Sequence, residues 1–231
     1  MTGRRALAAL AAATLLSACA GDAESAPEGS GSEPTETASP DPDVPPQWSG
    51  DDAREGTVSF ADGPALAEAE DIAFTNSLAQ VYDWEVVEAP AQTWDDEPAA
   101  VTVELENTGN GCRVLDERAP YEGTNTDDGA ASMALVEARL ADAELIAGPV
   151  QGLMGLGGGL GEDYATYDVS QALGRQDGDG PWVLVTARAF VALGQQQVTT
   201  VSCPLGAEID RTHGQLVQNA HATLVGLDKL P

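Results

Sequence analysis

Two histidines, three cysteines and an excess of carboxylates are the groups in this chain that could move protons, bind metals or form covalent bonds. His213 and His221 stand eight residues apart. On one helix that spacing puts them about 80° apart around the axis and about 12 Å along it, so they cannot share one ion. Neither has a serine partner on a G-x-S-x-G elbow, so a hydrolase triad has no positioned nucleophile. Asp127-Asp128 and Asp177-Gly178-Asp179-Gly180 could each offer two oxygens to Ca²⁺, but the second lacks the further ligands and closing glutamate of an EF-hand loop. Both read as turns. Glu162-Asp163 is not distinguishable from solvated surface in so acidic a chain. The run Gly152 to Gly161 has neither a following Gly-Lys-Ser/Thr nor G-x-G-x-x-G spacing, which removes phosphate-loop chemistry. It reads as a flexible surface loop or a close-packed apolar turn. In the loop form Leu153, Met154, Leu156 and Leu160 could make an apolar flap over a groove. No residue set stands out as catalytic, cofactor-binding or metal-binding.

The third cysteine, Cys19, has a different setting. Arg4-Arg5, an apolar run from Ala6 to Leu16 and small residues at 17–18 have the layout of a secretory signal peptide. The run is about eleven residues, well short of the ~20 that span a bilayer as a helix. Leu16-Ser17-Ala18-Cys19 resembles the lipobox of bacterial lipoproteins. The resemblance implies cleavage before Cys19 and a diacylglycerol thioether on its sulfur. Its two acyl chains already supply the two signals that stable attachment requires. The protein is then expected on the extracytoplasmic face of the cell membrane. In an exported chain the other two cysteines, Cys112 and Cys203, are expected to pair, with free thiols or a metal pair as the alternatives. Closing a loop of about ninety residues contributes roughly 4–5 kcal/mol in the chain-entropy account.

The net charge is −28, with nine arginines and one lysine, Lys229. Nucleic-acid binding needs clustered Lys and Arg against phosphate, so it is excluded. Anionic headgroups repel the same charge. The composition, rich in Ala, Gly and Asp, resembles that of GC-rich bacteria such as actinobacteria; a halophile would show a similar acidic excess.

Three regions follow: a signal peptide over 1–18, a tether over 19–55 and one globular α+β domain over 56–231. The tether is Glu, Asp, Ser, Thr, Pro and Gly, with too few apolar residues to offset chain entropy. As a flexible coil its roughly 36 residues reach about 35 Å. In the domain, Thr57–Phe60 reads as a short strand. Leu66, Ala69, Ile72 or Ala73, and Asn76 or Ser77 read as a helical stripe from Pro64 through Ala79. Val101, Val103 and Leu105 alternate with polar residues in a half-buried strand. The turn at 107–111 leads to a return strand from Cys112. Met133, Val136 and Leu140 mark an amphipathic helix after an N-cap near Asp127. Strands are expected at Glu144–Ala147 and Tyr164–Val169, with a hairpin of Trp182–Leu193 and Gln197–Cys203. Leu216, Ala220, Leu224 and Leu227 suggest one helix over Asp210–Leu230. Trp182 reads as core. Trp84 and Trp94 read as core or as the walls of a groove. Trp48 lies in the tether.

This order predicts an antiparallel sheet with flanking helices and a C-terminal amphipathic helix. It resembles the PsbP-like α/β sandwich of many actinobacterial lipoproteins, which implies a fold and no activity. The expected function is non-enzymatic: a membrane-anchored module binding a small apolar ligand, a lipid or an envelope protein partner, without cofactor. A hydrolase working through carboxylates alone, or a structural or sensory spacer, are the alternatives.

Overall fold

The computed structural model describes residues 57–88, 100–156 and 165–226. All of them belong to one compact unit, 39–231. Cys19, Trp48, Trp94, Glu162, Asp163 and Leu160 lie outside the described residues.

Strand makes up 51% of the described residues, and the helices are supports for one sheet. The elements run β1 (Thr57–Val58), a 3-10 helix (Phe60–Glu68), β2 (Asp71–Asn76), a 3-10 turn (Leu78–Gln80), β3 (Trp84–Glu88), β4 (Val101–Asn107) and β5 (Arg113–Pro120). Then come α1 (Asp128–Arg139), β6 (Ala143–Leu156), β7 (Ala165–Gln176), β8 (Trp182–Phe190), a 3-10 turn (Val191–Leu193), β9 (Gln195–Cys203), α2 (Ile209–Asn219) and β10 (Ala220–Val225). The sheet order is β2-β10-β6-β7-β8-β9-β5-β4-β3, with β1 added in parallel to β7. β6 and β10 are also parallel; the other pairs are antiparallel.

The expected antiparallel sandwich with flanking helices is therefore overturned. The molecule is a strongly curled, mixed, ten-stranded sheet, a half-barrel. Curling follows from connectivity. The edge strands β2 and β3 are consecutive in sequence, joined through residues 77–83. So short a connection cannot cross a flat sheet of this width, since strands lie about 4.8 Å apart. β6 also bends, with register shifts between Leu145 and Val150. There Gly148 has φ +100°, and a Cβ would lie 2.8 Å from the Ala172 backbone.

Two helices in the sequence reading become strands. Residues 64–79 break at Glu68, because Asp71–Asn76 pairs with all six residues of β10. The C-terminal helix stops at Asn219 for the same reason. Leu216, Ala220 and Leu224 are spaced by four, which keeps one face in a helix and also in a strand. The strand begins at Ala220. The helix near Asp127 forms, with the Asp127 carboxylate accepting from Ala130 N at 2.8 Å. Its buried stripe is Ser132, Val136 and Leu140, and Met133 is 41% exposed. The strands at 101–107 and 113–120 and the hairpin of β8 and β9 form close to where expected.

The segment read as a glycine loop or apolar turn is, over Gly152–Leu156, the end of β6. Gly152 is small because the Gln171 side chain of β7 lies across it; a Cβ there would overlap the Gln171 amide. Gly155 likewise admits β10, with Ala220 O 3.4 Å from a built Cβ.

α1 packs on the outer face of the sheet through Val136 and Leu140 against Ala172, Val185, Ala187 and Val198. α2 fills the curl with Ile209 and Leu216, joining the larger core. At one end Cys112 and Cys203 are bonded, S–S 2.06 Å, both fully buried.

Glycine substitutions separate close packing from simple turns. Gly152→Ala should cost about 1–3 kcal/mol by overpacking. Gly214→Ala, within α2 and with nothing within 4 Å of its Cβ, should gain roughly 0.5–1 kcal/mol. Urea denaturation of the two variants checks the opposite signs.

Candidate functional site

The concave face is built in rungs across the strands. Near the disulfide the rung is apolar: Leu105, Val114, Val201, Leu184 and Leu173 stand opposite one another in register. The next rung, Val103, Asp116, Thr199, Thr186 and Gln171, is polar over four of its five positions. The third joins Arg118, Gln197 and Arg188. Strand alternation thus places a buried polar layer on top of an apolar one.

Asp116 is fully buried and accepts from four side chains. They are Gln197 Nε2 at 2.9 Å, Arg118 Nη2 at 2.9 Å, Asn76 Nδ2 at 3.2 Å and, weakly, Thr199 Oγ1 at 3.5 Å. Arg118 Nη1 also donates to the Phe74 carbonyl at 2.6 Å. Asn76 and Phe74 belong to β2, at the far edge of the sheet order, so this pair ties the two sides of the curl together. The Tyr167 hydroxyl donates to Gln197 Oε1 at 2.8 Å, and burial pushes that phenol well above its ordinary value.

A second buried pair lies where β7 parts from β8. Over Ser170–Arg175 β7 pairs with β8, whereas at Thr166 and Tyr167 it pairs with β1. Arg188 fills the fork, donating to Asp128 Oδ2 at 2.8 Å, Asp168 O at 2.9 Å and Ser59 O at 3.3 Å. Its guanidinium also lies over Phe60 and Phe190 at 4.6 and 5.1 Å. Gly63 packs on the other side of the Asp128 carboxylate; a Cβ there would come within 2.6 Å. Burial pushes Asp128 above its ordinary value, although the Arg188 charge and the Val191 amide lower it.

Asp116, Tyr167, Asp128 and Arg188 are buried, and Arg118 is partly exposed. The accessible site lies outside the curl. A pocket of about 510 Å³ opens between α1, the end of β5 and the loop over 121–127. Ala119, Ala131, Ala134 and Leu135 form apolar walls, with Tyr121, Glu122, Asn125 and Gln196 supplying polar groups. Its volume falls in the range of small-molecule sites. The Tyr121 ring rests on Gly123, where a Cβ would overlap it, and its hydroxyl reaches Asn125 O at 3.4 Å. A smaller groove of about 410 Å³ lies at the disulfide end, between Arg113, Asp179 and Leu205.

The residues singled out by sequence are scattered. His213 is buried on α2, with Nε2 3.2 Å from Gln171 Nε2, and His221 is half-buried on β10, a strand and not a helix. Asp127 caps α1, and Asp128 is an interior ion-pair partner, so they are no Ca²⁺ turn. Asp177 and Asp179 sit in the turn between β7 and β8. Trp84 is buried in the larger core and donates to Gln215 Oε1 at 3.1 Å, and Trp182 is buried beneath Arg175. Among the described residues no cluster of three or more His, Cys, Asp or Glu could hold a metal ion. Sequence reasoning passed over Asp116, Arg118 and Arg188. The signal was there: an arginine inside the apolar run Val183–Leu193, and an Asp and Arg two apart on one face of a strand.

Arg188→Met leaves the Asp128 carboxylate buried without its cation and should destabilise by about 3–5 kcal/mol near neutral pH. The folded protein holds the Asp128 proton more tightly than the unfolded chain, so stability from this group is greatest below the ordinary value of 3.8 and declines as pH rises past it. Without Arg188 that decline extends to higher pH. The stability gap between wild type and variant should therefore widen from about pH 4 to about pH 7, as denaturant titration at several pH values reads.

No protein-family model matches the chain, and no curated protein and no solved structure matches it either.

Proposed function

We propose that this chain is a non-enzymatic, lipid-anchored binding module on the extracytoplasmic face of the cell membrane. Its ligand is a small, largely apolar molecule. The pocket between α1 and the loop over 121–127 carries this reading: about 510 Å³, lined by alanines and Leu135 together with Tyr121, Glu122, Thr124, Asn125 and Gln196. Such a mixed lining suits a ligand with an apolar body and one polar end. The anchor rests on Leu16-Ser17-Ala18-Cys19 after a charged, apolar start. The acidic tether over 19–55 then holds the folded unit off a surface that its charge avoids. No helix among the described residues is long and apolar enough to cross a membrane, and the thioether at Cys19 supplies the attachment.

Two measurements test the two halves. Cys19→Ala should move the protein from the membrane fraction to the soluble fraction; retention on the membrane sinks the anchor. Native mass spectrometry of the purified chain should find a small co-purified molecule. That adduct should be lost in Ala134→Trp, which places an indole in the pocket from an exposed helix position. An adduct that survives Ala134→Trp removes the pocket from the proposal, and so does a wild-type protein that is always empty.

A further inference from the structure

We infer that the pocket beside α1 selects an organic cation: an amine or ammonium group carried on a small apolar body. The inference rests on the pocket reading above and names the ligand's charge. Glu122 is the only ionisable carboxylate among the lining residues, and none of them is Lys, Arg or His. An anionic ligand would thus meet a carboxylate with no compensating charge. The wider field points the same way, since a chain of net charge −28 concentrates cations at its surface and repels anions. The Tyr121 ring lines the same pocket, and an aromatic ring attracts an ammonium through its quadrupole. Asn125 and Gln196 add neutral acceptors for N–H groups. The alanine walls leave room for the apolar body and give it nothing to pair with. The nearby arginines are occupied elsewhere: Arg118 holds Asp116 and the Phe74 carbonyl, and Arg139 is paired with Glu117. Neither lines the pocket.

Three probes of one length separate charge from shape: hexylammonium, 1-hexanol and hexanoate, titrated calorimetrically into the full chain. Hexylammonium should bind at least ten times more tightly than hexanol, and hexanoate should not bind. Glu122→Gln should erase the preference while leaving hexanol binding unchanged. Tyr121→Leu should weaken hexylammonium several-fold and leave hexanol nearly unaffected. Ala134→Trp keeps every charge of the protein, so any loose attraction of amines to the acidic surface persists in it while pocket binding is lost. Equal affinity for hexylammonium and hexanol in the wild type overturns the cation inference and leaves the pocket standing. A hexylammonium preference that survives Glu122→Gln overturns it as well. Failure of all three probes, or binding indifferent to Ala134→Trp, is a failure of the pocket itself.

Discussion

A curled sheet that stops short of closing leaves two facing sides that must be held together by side chains. Here the Asp116 carboxylate does this. It is fully buried, it is anchored on β5, and it takes hydrogen bonds from both sides of the curl. Arg118 gives it a counter-charge and simultaneously grips a β2 carbonyl. Backbone pairing cannot perform this task, because β2 and β3 do not pair with each other. The bridge therefore substitutes for the hydrogen-bond ladder that a closed barrel would have.

Placing ions in an interior is costly, and their surroundings explain how it is tolerated. Asp116 is paired with Arg118 and Asp128 with Arg188, the third buried carboxylate, Asp168, accepts from Phe60 N, and further hydrogen bonds extend to amides and carbonyls. The aromatic rings between the two pairs are also used: Arg118 lies over Phe74, Phe74 is 6.0 Å from Phe190, and Arg188 lies over Phe190. The two cations thus flank a pair of tilted rings, each guanidinium attracted by the ring it lies over. Such a layer specifies one arrangement of strands more sharply than an apolar layer could, because any slip in register would leave a charge without its partner. The pocket between α1, the end of β5 and the loop over 121–127 is lined by none of these four ionic residues.

What could be read in the sequence follows from how many structures a pattern permits. Val101, Val103 and Leu105 alternate, and a period of two has one meaning. The hairpin of β8 and β9 was legible through its β-branched residues. Leu216, Ala220 and Leu224 were ambiguous, because a spacing of four fits helix and strand alike, and only pairing with β2 decides. The glycines at 152 and 155 were misread because their reason is a neighbour from another strand. The polar rungs were invisible for a similar cause. A buried Asp116 and an exposed Glu85 are the same kind of signal until four strands are set in register. The cysteine pair was legible because the signal-peptide layout led to an expectation of export, and two remaining thiols then leave few choices.

The pairing of β2 with β10 has a consequence for the order in which the molecule can be completed. Ile72 lies opposite Leu224, so β2 waits for a strand made about 150 residues later in synthesis. Until then β2 has no partner in the sheet, and neither Asn76 nor the Phe74 carbonyl is fixed against Asp116 and Arg118. Sheets built on such distant pairings form slowly, since the loop must close before its contacts contribute. The chain is thus obliged to stay unfinished while it emerges, whether from a ribosome or through a membrane channel. Its acidity, which keeps unfolded copies apart, suits a protein that spends that interval open.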